Sequence, residues 1–203
     1  MNIIEQQHWD KVYSTKAAEE VSWFQQYPKT SMQFVGLFDL PLNANIIDIG
    51  GGDSHFVDAL IAKGYSNIWV LDISAKAIEK AKQRLGESAS KIHWIVSDVT
   101  DFKPPVQFDF WHDRAAFHFL TTEENINKYV FIAEDAIKKN GYLILGTFSE
   151  NGPAKCSGLE VKQYSERSMS AKFEVTFDRI KCNTEDHTAA LLQNFLVCSF
   201  KKK

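Results

Sequence analysis

The segment Ile46-Ile47-Asp48-Ile49-Gly50-Gly51-Gly52-Asp53, followed twenty residues after Gly52 by Asp72, restricts the fold more than any other feature of the chain. A short apolar run stopped by three glycines reads as a strand from which the backbone turns tightly. Phe56, Val57, Leu60 and Ile61 then share one helical face ending at Gly64, and Ile68-Trp69-Val70-Leu71 reads as the next strand. Strand, helix and strand in immediate succession make a βαβ unit, and such units build parallel sheets.

The alternation continues. Ser74 is a good N-cap for a helix from Ala75 to Leu85 closed by Gly86, Ile92 to Val96 reads as a third strand, and Phe108 to Trp111 as a fourth. Thr121 with Glu124 fits a capping box, and Ile126, Tyr129, Val130, Ala133 and Ile137 repeat at helical spacing until Asn140-Gly141. Tyr142 to Phe148 is expected as a fifth, buried strand, and Ser149 to Gly158 as a loop. Beyond it, Phe173, Val175 and Phe177 alternate with polar residues, which predicts a half-exposed strand. Leu191 to Phe200 predicts another, joined to it by the polar stretch Asn183 to Thr188 as an antiparallel hairpin that closes the sheet. Residues 1–42, rich in Trp and Phe, predict capping helices. The expected fold class is therefore α/β: a doubly wound, mostly parallel seven-stranded sheet with an antiparallel closing hairpin and amino-terminal capping helices. All of 1–203 is expected to form one domain, a helical cap over 1–42 and a sheet core over 43–203.

Charge narrows the partners. With 23 basic against 26 acidic residues, net -3, and Lys201-Lys202-Lys203 as the basic run, the chain lacks the surface that phosphate backbones demand, so nucleic acid is not an expected partner. No apolar stretch approaches the length of a bilayer span, and the amino end lacks a signal or transit pattern, so no membrane partner is expected either. Three cysteines, Cys156, Cys182 and Cys198, without CxxC spacing argue against a disulfide framework or a zinc site and point to a reducing, cytoplasmic setting. Nothing in the sequence fixes the oligomeric state.

The glycine turn lets a ligand approach the backbone at the start of a helix, and an acid about twenty residues later, at a strand end, accepts hydrogen bonds from both hydroxyls of a ribose. Asp72 fits that position and points to an adenosine ligand. A dinucleotide site has glycine where this chain has His55. Asp48 and Asp53 would also repel a pyrophosphate, whereas S-adenosylmethionine brings an α-amino group and a sulfonium that suit an acidic turn.

On these residues the chain resembles the class I, seven-stranded, Rossmann-like S-adenosylmethionine-dependent methyltransferases, over residues 45–148 by motif. The resemblance implies S-adenosyl-L-methionine as cofactor. It places Asp48, Gly50, Gly51 and Gly52 around the methionine part, Asp72 on the ribose, Asp98 on the adenine amino group, and Ile73 and Val99 as apolar plates around the base. The fourth strand ends in Trp111-His112-Asp113-Arg114-Ala115-Ala116-Phe117-His118, which in the family forms the mouth of the acceptor site. Asp113, Arg114 and His118 are its candidate catalytic residues, with His118 either a base or a packed histidine. The amino end, Trp9-Asp10-Lys11-Val12-Tyr13 with Ser22-Trp23-Phe24, is similar to the W-D-x-x-Y and W-F/Y elements of elongation-factor lysine methyltransferases, where such aromatics form a lid; Trp9 and Tyr13 are included with the cofactor site on that ground.

There is no Asn-Pro-Pro-Tyr of base-modifying enzymes, no acidic metal cluster, and no D-K-G-T acceptor motif of the lysine enzymes. Aromatic mouth residues suit a small-molecule acceptor, with a protein lysine as alternative. Two other readings are a nicotinamide-dependent oxidoreductase and a catalytically silent module that binds S-adenosylmethionine. The loop from Ser149 to Gly158 is either a lid or a linker, and Cys156 reads as a packing residue.

Overall fold

The computed structural model describes residues 3–186 and 193–203, in two compact units, 1–103 and 104–203. Their main strands belong to a seven-stranded sheet, with three in the first unit and four in the second.

In the first unit the helices α1 (Ile3–Thr15) and α2 (Lys29–Val35) precede β1 (Asn45–Ile49), α3 (Phe56–Ala62), β2 (Asn67–Asp72), α4 (Ala75–Leu85) and β3 (Ile92–Val96). β1 pairs in parallel with β2, and β2 with β3. Ile46, Ile47, Val70 and Leu71 are buried, so these strands are apolar on both faces, as parallel strands covered by helices must be. α4 starts where the sequence predicts: the Ser74 side chain accepts from the Ala77 N–H, and Gly86, at φ 55°, ends the helix. A second cap was not foreseen. Asp10 on α1 accepts from Ser74 Oγ (2.7 Å) and from the Lys76 N–H (3.2 Å), which fastens α1 to the first turn of α4.

The second unit holds β4 (Phe108–Arg114), α5 (Glu123–Ala136), β5 (Ile137–Phe148), the short β6 (Lys155–Cys156) and β7 (Leu159–Glu160), α6 (Glu166–Phe173), β8 (Phe177–Asp186) and β9 (Asn194–Lys202). β4 and β5 are parallel, and β9 lies antiparallel between β5 and β8, which gives the closing hairpin. No helix among the described residues is long and apolar enough to cross a membrane.

Several expectations are corrected. The N-cap of α5 is Thr122, whose side chain accepts from the Asn125 N–H, one residue later than expected. The helix ends at Ala136, and Ile137 already pairs with Phe108 in β5. Residues 166–173, read in part as strand, form α6: Ser165 and Ser168 make its capping box, and Met169 and Phe173, four apart, are fully buried. Asn183 to Asp186 belong to β8 rather than to a connection, and His187 to Leu192, including the expected strand start at Leu191, lie outside the described residues. The stretch 149–158 is not wholly irregular, since β6 pairs with β7 across the left-handed pair Ser157 and Gly158.

The cysteine reading is also overturned. Cys182 and Cys198 stand opposite each other in the β8–β9 register and form a disulfide, whereas Cys156 is buried and takes no part in it. An odd count does not forbid one pair, and the register, invisible in the linear spacing, brings these two together.

Candidate functional site

The turn after β1 is built around two buried acids. Gly50 takes φ 64°, and its N–H donates to the Leu71 carbonyl (2.7 Å), folding the turn over the end of β2. A Cβ on Gly51 would sit 2.4 Å from Asp48 Oδ2, and one on Gly52 would sit 2.5 Å from both Ala77 Cβ and Asp72 Oδ2. These two glycines are therefore required by the carboxylates and the helix packed against them, besides any ligand. Gly52 N–H donates to Asp72 Oδ2 (2.9 Å), and Ser74 N–H to Asp72 Oδ1 (2.7 Å). Asp72 thus ties the glycine turn to the start of α4.

Burial pushes the Asp72 carboxyl up to about 7; the Ser74 and Gly52 N–H groups work against that rise, while the charges of Asp48 and Asp10 add to it. Each Asp72 oxygen accepts one of these backbone N–H groups and has a further lone pair, the arrangement needed to accept from a diol. Next to it, the Ser97 N–H donates to the Asp72 carbonyl (3.0 Å), which sets the ends of β2 and β3 side by side. Asp98, buried just after β3, accepts from the Thr100 N–H (2.9 Å) and Oγ1 (2.7 Å) and caps the turn that holds Val99. Ile73 and Val99 are half-buried beyond their strand ends.

Trp9 and Tyr13 pack with Trp23 in one aromatic cluster, at centroid distances of 5.8–6.4 Å. The structure thus assembles Asp48, Gly51, Gly52 and Asp72 in direct contact, and adds Asp10, whose charge acts on Asp72. Sequence reasoning missed Asp10; its place one residue after Trp9 gave no sign of the cap. It also overlooked Arg84, which pairs with Asp53 and Asp58 (3.0 Å). With Asp53 so neutralised, the argument that this acid would repel a pyrophosphate fails, and the exclusion of dinucleotides rests on Asp48 and His55.

The candidate acceptor residues lie in the second unit. Asp113 is fully buried: Oδ1 accepts from the N–H groups of Ala116 (2.9 Å) and Phe117 (3.1 Å), and Oδ2 from Tyr129 Oη (2.7 Å), which itself accepts from Trp111 Nε1 (2.9 Å). Burial raises the Asp113 carboxyl to about 6 against these donors. The acid braces the turn in which Ala115 is held at φ 71°, a conformation unfavourable without such bracing.

That turn delivers His118. Its Nδ1 accepts from the Phe148 N–H (3.2 Å), so its proton is assigned to Nε2, and Nε2 is buried with no hydrogen-bond partner among the described residues. Burial, with the nearby charge of Arg114, lowers the imidazole to about 3, so the ring is neutral in ordinary buffers. In this tautomer it is a donor. Arg114 lies across Gly146, its Cγ 3.4 Å from where a Cβ there would be, and reaches the ring of Phe195 (4.8 Å from Cζ) and Glu185 (4.0 Å from Nε).

Residues 46–141 match a family model described as a methyltransferase domain. EEF1A lysine methyltransferase 2 of Mus musculus is 25% identical over 160 residues, covering 68% of this chain and 63% of that protein. Nodulation protein S of Sinorhizobium fredii (strain NBRC 101917 / NGR234) is 27% identical over 124 residues, covering 61% of this chain and 56% of that protein. The matches thus span less than two thirds of these relatives' length. Among solved structures, the N-methyltransferase NodS from Bradyrhizobium japonicum WM9, in complex with S-adenosyl-L-homocysteine, has the same fold, with a TM-score of 0.71 and 18% identity over 95% of this chain and 97% of that one.

Proposed function

We propose that this chain is a class I S-adenosylmethionine-dependent methyltransferase that transfers a methyl group to a small-molecule acceptor, and that the residues 9–99 named above hold the cofactor. The observation that carries the reading is the Asp48, glycine and Asp72 cradle. Glycines leave no Cβ at the turn, and a buried carboxylate holds one lone pair on each oxygen beyond its backbone donors. S-adenosylmethionine, when bound, supplies a methyl group already activated on a sulfonium. The protein's share is then to orient the donor and the acceptor and to exclude water.

In this reading Asp72 accepts from the ribose hydroxyls, Asp98 from the adenine amino group, and Asp48 faces the amino acid end, with Ile73 and Val99 flanking the base. Trp9 and Tyr13 cover the site from α1. Asp113 acts through the turn it braces rather than on the acceptor. The proton released by an amine or hydroxyl acceptor passes to solvent, because His118 in its Nε2–H tautomer has no basic nitrogen to offer. The charge balance of the chain supports neither a nucleic acid nor a membrane surface as partner.

A protein lysine is the second reading, favoured by Trp9, Tyr13 and Trp23, which lie in sequence elements similar to those of elongation-factor lysine methyltransferases. Radiolabelled methyl from S-adenosylmethionine, incubated with an extract of the source cells, tests both. Label in the low-molecular-weight fraction supports the proposal; label in one protein band replaces it with the lysine reading; no transfer, with cofactor binding intact, leaves a silent binding module.

A further inference from the structure

The three glycines after β1 cannot hold their own turn. Glycine loses more backbone freedom on folding than any other residue, and Gly50, Gly51 and Gly52 have no side chains with which to anchor it. The near end of the turn is fixed from β2, by the Leu71 carbonyl and the Asp72 carboxylate. Its far end, where the chain leaves for α3, is fixed from the last turn of α4 by Arg84.

The guanidinium directs all five of its N–H groups at that exit. Nη1 donates to the Asp53 carbonyl (3.3 Å) and to Asp53 Oδ1, Nη2 to the Ser54 carbonyl (2.9 Å) and Asp58 Oδ2 (3.0 Å), and Nε to Asp58 Oδ1 (3.3 Å). Two of these acceptors are main-chain oxygens, so the group fixes backbone as well as pairing charge. Asp58 lies in the first turn of α3, so the same side chain also sets where that helix begins. A lysine, with three donors on a point charge, cannot match such a fork. With its donors engaged by residues 53–58, Arg84 acts through the turn and not on a ligand.

We propose that Arg84 is a positioning residue for the cofactor: it keeps the glycine turn in the conformation that receives the amino acid end of S-adenosylmethionine. The inference rests on the proposed cofactor assignment and adds to it the group that preorganises the site. A turn left to its glycines samples other conformations, and apparent affinity falls in proportion to the population of the competent one. Asp72 and Asp98, assigned to the adenosine part, stand at the ends of β2 and β3 and depend less on this turn. The two parts of the cofactor should therefore respond differently to the loss of Arg84.

The full chain and Arg84→Gln are titrated calorimetrically with S-adenosylhomocysteine and with adenosine, and thermal melts show whether each protein is folded at the titration temperature. The expected result is a Kd for S-adenosylhomocysteine raised by about tenfold and a Kd for adenosine changed by less than about twofold, as for a turn that holds the competent conformation about one tenth of the time. Amide exchange at Gly51 and Gly52 should be faster in the variant and should slow again when S-adenosylhomocysteine is bound. If Arg84→Gln does not fold, Arg84→Lys, which keeps the charge and loses the fork, carries the same comparison. Equal weakening of both ligands would mean general loosening, and unchanged affinity for S-adenosylhomocysteine would mean an ordinary ion pair; either overturns the proposal. Failure of the cofactor assignment looks different: the unaltered protein then binds neither ligand, and this inference falls with it.

Discussion

On the proposed assignment of Asp72 to the ribose, cofactor affinity depends on pH in a calculable way. In the free protein it titrates near 7, raised mainly by burial, and only the ionised form can accept from both ribose hydroxyls. At pH 8 about nine tenths of the molecules carry the carboxylate, and at pH 6 about one tenth do, so the Kd for S-adenosylhomocysteine should rise about tenfold between them, or about 1.4 kcal/mol. Binding near pH 7 should release a fraction of a proton, read by calorimetry in two buffers of different ionisation enthalpy. Stability of the free protein has the opposite sign. A carboxyl whose folded pKa is raised binds its proton more tightly folded than unfolded, so its contribution is present at low pH and is lost as pH rises from about 4 to about 7. The ligand-free chain therefore loses stability from this group over the range in which it gains cofactor affinity. Asp72→Asn should abolish both trends. A Kd that is flat from pH 6 to 8, or the same slope in the Asn variant, refutes the assignment of Asp72 to the ribose.

Three further outcomes are expected. Gly51→Ala, which drives a Cβ into the Asp48 carboxylate, should destabilise the chain by about 1–3 kcal/mol in urea melts, and Gly86→Ala, with nothing within 4 Å of the new Cβ but a backbone at φ 55° and ψ −129° that suits glycine alone, should cost about 1–3 kcal/mol through strain instead of a clash. Asp10→Ala should cost about 1 kcal/mol through the lost cap on α4 and move the midpoint of the pH-dependent binding downward, since it removes a negative charge that raises Asp72. Cys182→Ser should lower stability by about 3 kcal/mol without reductant, for a cross-link that closes a short loop, and make little difference with reductant present; equal loss in both conditions would show that packing matters and the bond does not.

The parts of the fold that were legible in the sequence are those with local causes. β1, β2 and β3, the glycine turn and the Ser74 cap of α4 follow from apolar runs and punctuating residues within a few positions of one another. The same locality explains why the end of α6, at Phe173, looks like part of a strand. Phe173, Val175 and Phe177 alternate, but Phe173 is the last residue of a helix capped by Ser165, Val175 is exposed in the connection, and Phe177 opens β8. What was not legible depends on register. The Cys182–Cys198 bond needs β8 and β9 aligned, the pairing of Asp53 with Arg84 joins residues thirty-one apart, and the bracing of the His118 turn by Asp113 needs Tyr129 from α5. Composition and spacing name all of these residues and cannot pair them.

The acids around the glycine turn show how pairing separates residues that look alike in sequence. Asp53 is held by Arg84, and Asp98 is satisfied by the N–H and hydroxyl of Thr100, so each has its donors from its own surroundings. Asp72 has two backbone N–H groups, yet burial and the charges of Asp48 and Asp10 still hold its proton near neutrality. A carboxylate in that state gains more from two added hydroxyl donors than one already neutralised by a guanidinium, because each new bond also offsets a desolvation cost that the fold has left in place. Of Asp53, Asp98 and Asp72, the last keeps the least compensated charge, which suits it to the proposed ribose contact; on that assignment its unfavourable burial in the free protein becomes part of the driving force for binding.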